Sequence, residues 1–297
     1  MEFGAHLPLI DLGSGFSLAG LKAYARAADA LGYRYLCAND HLLFNEPWLD
    51  GPTSLAAVIA ESGGMTLATT VSLPVVRGPV ALAKTLTALD VLSDGRLLVV
   101  VGPGSSRRDY AAVGVPFEER WPRFDEAVPM MRALLRGRPG LPGRFYSAAD
   151  VQLAPARQDG PPLWVASWGS PAGLRRVRRE GDGWLASAYN TTAERFGSCV
   201  EALGPLPNAL GTAWMYVTED AREADDVIRD VLAPMVKRDS GELRAAALPI
   251  GPAEVCAHRL GEYARAGVQR VFLWPLAEHV AQLELFMERV APLVAGP

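Results

Sequence analysis

Apolar residues in this chain alternate between short unbroken runs and helically spaced stretches. The clearest instance runs from Met65 to Arg108. Met65–Val71 reads as a strand packed between layers. Over Pro79–Leu92, Val80, Ala83, Leu86, Leu89 and Val91 recur near helical spacing, and Pro79 sits where a helix's first turn tolerates it. Ser93-Asp94-Gly95 closes that helix with turn chemistry. Leu97–Val101 is a continuous apolar strand, and Gly102-Pro103-Gly104-Ser105-Ser106 follows at once. A strand buried on both faces that empties into a small-residue loop is the usual way an α/β protein meets a ligand.

The same alternation extends along the chain. Further strands are predicted at Phe3–Leu7, Tyr33–Ala38, Leu163–Ser167, Gly183–Ser187, Leu210–Val217 and Arg270–Trp274. Helices are predicted at Ser17–Leu31, with Ser17 as cap, and at Thr53–Ser62, Arg120–Leu135, Ser170–Glu180 and Thr191–Leu203. Three more follow at Asp220–Lys237, Pro252–Ala266 and Glu278–Val294. Periodicity fails between Gly137 and Pro162, where Gly and Pro accumulate, and this stretch reads as an excursion with a short strand at Val151–Leu153. Eight strands interleaved with helices predict an α/β fold, a parallel sheet closed into a single (β/α)8 TIM barrel over residues 1–297 with loop insertions at its rim.

Composition narrows the function classes. Hydrophobic residues make up 49% and charged residues 21%, so a folded globular chain is expected and not a disordered one. A net charge of -4 provides no basic field for nucleic acid. Cys37, Cys199 and Cys256 are odd in number and lack metal-type spacing, which points to a reducing compartment and to no metal site. The start, MEFGAHLPLI, lacks the pattern of a signal peptide, and no window approaches the roughly 18 apolar residues of a membrane span. A cytoplasmic protein that binds neither membrane nor nucleic acid is the expectation. Arginine outnumbers lysine 26 to three, which suits a GC-rich genome better than a phosphate-binding surface.

Polar residues collect where the predicted strands end: His6, Asn39-Asp40-His41, Thr70 and Ser72, Ser105-Ser106, Ser167-Trp168, Ser187 to Asn190, and Trp274. Each one alone can simply terminate its strand. In a barrel they share the C-terminal rim, where active sites sit. Gly102, Gly104 and Ser105 lack bulk, so backbone there can approach a flat ring closely. Ser167-Trp168-Gly169-Ser170 precedes a helix whose free N–H groups suit an anion such as a phosphate, although Ser170 is equally well placed as an N-cap alone. Arg107 and Arg108 are open to two readings, solvated or phosphate-contacting. Trp168 and Trp274 either pack or wall a substrate pocket.

Three stretches then resemble the luciferase-like flavin-dependent oxidoreductases, often called luciferase-like monooxygenases: ADALGYRYLCANDH (Ala28–His41), TTVSLPVVRGPVALAKTLTALDVLSDGR (Thr69–Arg96) and VGPGSSRRDYAAVGVPFEERWPRFDEAV (Val101–Val128). A weaker match continues over Pro161–Trp184, and Asn208–Pro249 is the variable part. The resemblance implies a barrel that holds a flavin or deazaflavin at its rim. It places Asp40 and His41 against the ring as catalytic and cofactor-binding residues, with the His41 imidazole bonding the ring or shuttling a proton. It makes Thr70-Val71 the site of a non-prolyl cis bulge that supports the ring. It adds Gly102, Gly104, Ser105, Ser167, Trp168, Gly169 and Ser170 to the cofactor site. Ser105 departs from the pattern, because sugar-phosphate dehydrogenases of this family carry a glutamate there, and that puts a sugar-phosphate substrate in doubt.

The expected activity is therefore hydride transfer between a deazaflavin (coenzyme F-420) and a small organic substrate, because VGPGSSRRDYAAVG resembles deazaflavin-type members. Two alternatives stand beside it: a two-component monooxygenase using FMN and dioxygen, and a non-catalytic flavin-binding barrel. Relatives of this kind imply a homodimer and a partner flavin or deazaflavin reductase. The substrate depends on the variable segments Asn45–Gly51, Gly137–Gly160 and Asn208–Pro249.

Overall fold

The computed structural model describes residues 1–246 and 248–294. Among these described residues, nine parallel-paired strands run in chain order: β1 (Glu2–His6), β2 (Tyr35–Ala38), β3 (Thr66–Thr69), β4 (Leu97–Val101), β5 (Leu163–Ala166), β6 (Trp184–Ser187), β7 (Asn208–Val217), β8 (Ile250–Gly251) and β9 (Arg270–Pro275). Strands β1 to β7 pair consecutively, and β9 bridges β7 to β1, so eight strands close into a (β/α)8 barrel. The two-residue β8 lies outside the closed ring, with Tyr216 opposite Ile250 and Val217 opposite Gly251.

The unbroken apolar runs follow from burial on both faces. Cys37, Ala68, Leu98, Val100, Trp164, Leu185, Ala209 and Phe272 fill the barrel interior as one cluster. Their chain neighbours Leu36, Leu67, Val99, Leu163, Val165, Ala186, Leu210, Val271 and Leu273 belong to the larger core under the helices. Alternate residues of each strand therefore face two apolar layers, and no polar face is left to break the run. Large Trp164 and Phe272 share the interior with small Ala68 and Ala209, as a filled barrel requires.

The helices form where the pattern placed them. Ser17 caps Leu18–Ala30 by accepting the Gly20 N–H, and Pro79 opens Pro79–Leu92. The long helix beginning at Ala221–Asp226 continues through a π-helical stretch, Val227–Leu232, into Ala233–Val236. The expected helix over Thr53–Ser62 is instead Gly51–Ala57 followed by a 3-10 turn, Ile59–Glu61. Short helices at Pro74–Arg77, Arg107–Ala112 and Ser240–Ala245 were not predicted.

Val151–Leu153 is not a strand. With β4 paired directly to β5, the closed barrel leaves no edge at this point for it to join. The excursion is held by side chains. The Glu126 carboxylate accepts the N–H groups of Arg144, Phe145 and Tyr146, and Arg157 pairs with buried Asp90 at 3.2 Å. Among the described residues, no helix is long and apolar enough to cross a membrane.

One departure from regular pairing opens the rim. The Thr69 hydroxyl accepts from Val100 N at 2.9 Å and donates to Val100 O at 3.0 Å, taking over the β3–β4 ladder. The Thr70-Val71 peptide bond that follows is cis. Backbone pairing resumes at Ser72, whose N–H donates to Val100 O and whose carbonyl accepts from Gly102 N–H.

Candidate functional site

The C-terminal strand ends bring His6, Asn39, Asp40, His41, Thr70, Val71, Ser72, the Gly102–Ser106 loop, Ser167–Ser170 and Trp274 onto one rim. The expected Asp40–His41 pair is divided between two networks. Asp40 is 2% exposed, and Arg77 forks onto it with Nε at 2.7 Å and Nη2 at 2.6 Å from its two carboxylate oxygens. The Leu73 N–H adds a third bond to Asp40 at 3.3 Å, and Arg77 also reaches Asp50. Burial works against the Arg77 charge, but the bonds and charges of Asp40 and Asp50 outweigh it and raise its pKa. The Asp40 carboxylate is thus saturated by protein donors and fixes the segment after Thr70-Val71. Asn39 works on the same segment, because its Oδ1 accepts the N–H groups of Asp40 at 2.8 Å and Val71 at 3.0 Å.

His41 has a different partner. Its Nδ1 lies 3.0 Å from Asp109 Oδ2, with the His41 side chain 20% exposed and Asp109 buried. The other Asp109 oxygen accepts the Leu43 N–H at 2.9 Å, so the carboxylate clamps both the imidazole and its loop. Asp109 stands in the helix Arg107–Ala112, whose N-cap Ser106 accepts the Asp109 N–H at 3.2 Å. Neither Arg77 nor Asp109 was singled out in the sequence. The Ser106-Arg107-Arg108-Asp109 spacing is an N-terminal capping pattern and was the available signal for the helix. Nothing local pairs Asp109 with a histidine 68 positions away.

The glycine loop lies beside these groups. The Tyr110 hydroxyl donates to the Pro103 carbonyl and pins the loop. Gly104 has φ +80°, a left-handed conformation that glycine adopts without penalty. Arg107 pairs on the surface with Glu118. Below the rim, Thr70 Oγ1, Ser72 Oγ and His6 Nε2 are buried without a hydrogen-bond partner among the described residues. His6 donates from Nδ1 to the Leu7 carbonyl, and burial drives its pKa down to about 3, so Nε2 carries a lone pair with no donor. Buried polar atoms without partners are costly, and a bound organic group that met them would remove that cost.

Ser167, Trp168, Gly169 and Ser170 form the turn before the helix Pro171–Glu180. Ser170 caps that helix by accepting the Gly173 N–H at 3.1 Å, and the Gly169 N–H donates to Ser167 Oγ at 3.2 Å. A Cβ on Gly173 would overlap the Ser167 hydroxyl, which would have to turn away from its present bond to the Gly169 N–H. Trp168 is 53% exposed, whereas Trp274 is buried. The Arg195 guanidinium lies against this turn, within 3.1 Å of where a Gly169 Cβ would stand. No carboxylate among the described residues pairs with it. A helix N-terminus beside an unpaired arginine suits an anion. Trp274 stacks on His6 at 3.4 Å between ring centroids and on Trp214 at 4.1 Å. Trp48 meets both Trp274 and His41 edge-on, so an aromatic row runs along the rim from His6 to the His41 imidazole.

These features place a carboxylate-held histidine, a glycine loop and a helix start on the rim of one closed parallel barrel. The chain belongs to the luciferase-like monooxygenase family, whose sequence profile matches residues 3–232. It is 30% identical over 206 residues to an F420-dependent hydroxymycolic acid dehydrogenase of Mycobacterium tuberculosis, covering 64% of this chain and 56% of that protein. It is 30% identical over 186 residues to an F420-dependent glucose-6-phosphate dehydrogenase of Mycobacterium avium, covering 58% of this chain and 54% of that one. The chain thus spans about half the length of these curated relatives. Among solved structures it resembles monooxygenase RslO1 from Streptomyces bottropensis, with TM-score 0.85, 24% identity and coverage of 99% and 100% of the two chains. It also resembles an F420-dependent secondary alcohol dehydrogenase, with TM-score 0.80, 19% identity and 99% of each chain. At these identities the structural likeness speaks for the fold.

Proposed function

We propose that this protein is an oxidoreductase that moves a hydride between a deazaflavin and a small organic substrate. The observation that carries this reading is the His41–Asp109 pair at the open rim. The relatives support it, since the curated proteins matched at 30% identity are named as F420-dependent dehydrogenases. Thr70, Val71, Ser72, Gly102, Gly104 and Ser105 would hold the ring, and Ser167–Ser170 with Arg195 the phosphate. When bound, the deazaflavin supplies the hydride chemistry.

The chain's own residues do the rest. The Asp109 carboxylate accepts the Nδ1 hydrogen of His41, which sets the tautomer and leaves Nε2 as the base. His41 Nε2 takes the proton of a substrate hydroxyl, and Asp109 stabilises the imidazolium that results. Asp40, held by Arg77, would position the backbone segment after Thr70-Val71 that supports the cofactor. Residues 1–297 act as one domain, and a cytoplasmic homodimer served by a separate reductase completes the reading.

Separate titrations with the deazaflavin and with FMN, followed by tryptophan fluorescence, test it. Tight binding of the deazaflavin is the expected result. Binding of FMN alone would turn the assignment to an FMN-dependent monooxygenase, and binding of neither to a non-catalytic barrel.

A further inference from the structure

A bar of chain crosses the barrel mouth. In the eight-strand ring β2 and β6 stand opposite each other, with three strands between them on either side. Residues 227–246, which follow β7, bond to the loops of both. The Met235 carbonyl accepts from Asn45 Nδ2 in the β2 loop at 3.1 Å. Shortly after it, Arg238 donates from Nη2 to Asn190 Oδ1 in the β6 loop at 2.7 Å and from Nη1 to the Tyr189 carbonyl at 3.4 Å. The Arg238 guanidinium also lies over the Tyr189 ring, 4.7 Å from its centroid. A corner between the two links sets the span. Lys237, a non-glycine residue with φ +51° and ψ +51°, ends the helix Ala233–Val236 and turns the chain at Arg238.

The bar holds together by itself. Leu232 and Leu243 are buried in it, and its charged side chains pair internally or with the turn just before it: Arg229 with Asp226 and Asp230, and Arg244 with Asp225. Among the described residues, the Asn45 and Arg238 links are its only hydrogen bonds or ion pairs to the other rim loops. It starts in the π-helical stretch Val227–Leu232, a rare geometry that concentrates at functional sites. Lifting the bar therefore breaks these two polar links and no ion pair. Beneath it, buried Met235 faces Trp214 and Trp274 across a space of about 10 Å³, room for about one water. Trp214 Nε1 and His279 Nδ1 are buried beside that space without a hydrogen-bond partner among the described residues. The shut position thus carries a cost that solvent relieves once Met235 withdraws.

We infer that residues 227–246 form a gate over the β1, β9 and β7 side of the mouth, latched shut by Arg238 and Asn45, which opens as a body to admit a ligand to Trp214 and Trp274. None of the gate's bonds or bordering cavities described above involves the β3, β4 or β5 loops. The gate therefore stands apart from the proposed ring site and does not depend on which cofactor binds there.

The test is hydrogen exchange read by mass spectrometry on the full chain. Arg238→Ala should speed exchange of the amides in 227–246 about fivefold or more and leave those of β4 and β5 unchanged. Arg238→Lys keeps the charge but not the fork and should fall between the two, and Asn45→Ala should act in the same direction through the second link. A locked form supplies the converse. Arg238→Cys with Asn190→Cys, bridged by a short bismaleimide, should slow exchange in 227–246 below that of the unbridged double variant. The same bridge should reduce quenching of tryptophan emission by acrylamide. Cys37, Cys199 and Cys256 are buried and do not compete for the reagent. Unchanged exchange in both alanine variants overturns the inference, because packing and not the latches then holds the bar. A rise shared equally by β4 and β5 overturns it as well, since it marks global unfolding. Quenching that the bridge leaves unaltered, or a bridge that does not form, does the same.

Discussion

His6 offers a quantitative check on how the buried aromatic cluster at the end of β1 is built. It is 1% exposed, stacks on Trp274 and has its pKa driven from 6.5 to about 3 by burial. An imidazole with a depressed folded-state pKa binds its proton more readily in the unfolded chain, so stability must fall as pH drops below the unfolded value. Between about pH 7 and pH 5 the unfolded imidazole becomes almost fully protonated while the folded one stays neutral. At roughly 1.4 kcal/mol per pH unit over the 1.5 units below 6.5, His6 alone removes about 2 kcal/mol. His6→Phe keeps a flat ring against Trp274 and removes the titration. The variant should be less stable near pH 7 by about 1 kcal/mol, for the lost bond to the Leu7 carbonyl, but its pH slope should be flatter. Urea unfolding of both proteins across this range measures the difference. His279, whose pKa burial also lowers, is present in both and cancels. A wild-type minus variant difference that stays constant from pH 7 to pH 5 would refute the account of His6 as a buried neutral group.

Three further outcomes follow from the site. Asp40→Asn breaks a buried, forked ion pair and should cost about 3–5 kcal/mol in urea unfolding; a loss below about 1 kcal/mol would show that Arg77 is satisfied elsewhere. Asp109→Asn keeps an acceptor for the Leu43 N–H but removes the charge facing His41, so kcat should fall by about tenfold or more with cofactor affinity nearly unchanged. Equal losses in both would make Asp109 a structural residue only. Gly173→Ala forces a methyl into the Ser167 hydroxyl, and titration should show deazaflavin affinity reduced by about tenfold or more, whereas unaltered affinity would remove the helix start from the cofactor site.

The stretch from Met65 to Arg108 shows where legibility ends. Its strands, its helix and the glycine loop follow from local burial, turn chemistry and capping, all of which act within a few residues. The short helix Arg107–Ala112 was encoded just as locally in the Ser106 cap, but it lay hidden behind a glycine loop read as ligand-facing throughout. The pairing of neighbouring Asp40 and His41 with separate partners was not local. Asp40 meets Arg77 across 37 positions and His41 meets Asp109 across 68, because parallel pairing of β2 with β3 and of β3 with β4 sets their C-terminal loops side by side.

The sequence by itself therefore determined the order of strands and helices, the burial of both strand faces and the set of polar residues at the strand ends. Tertiary structure alone decided which of those residues touch. Closure removed the edge that Val151–Leu153 would have needed and set Trp274 between His6 and Trp214. It also carried Asp11 and Glu46 from two separate loops, and Asp230 from the π-helical stretch, onto one cleft. The physical reason is range: propensity and periodicity act along the chain, whereas hydrogen-bond partners and cavities are set by which strand ends the closed sheet places next to one another.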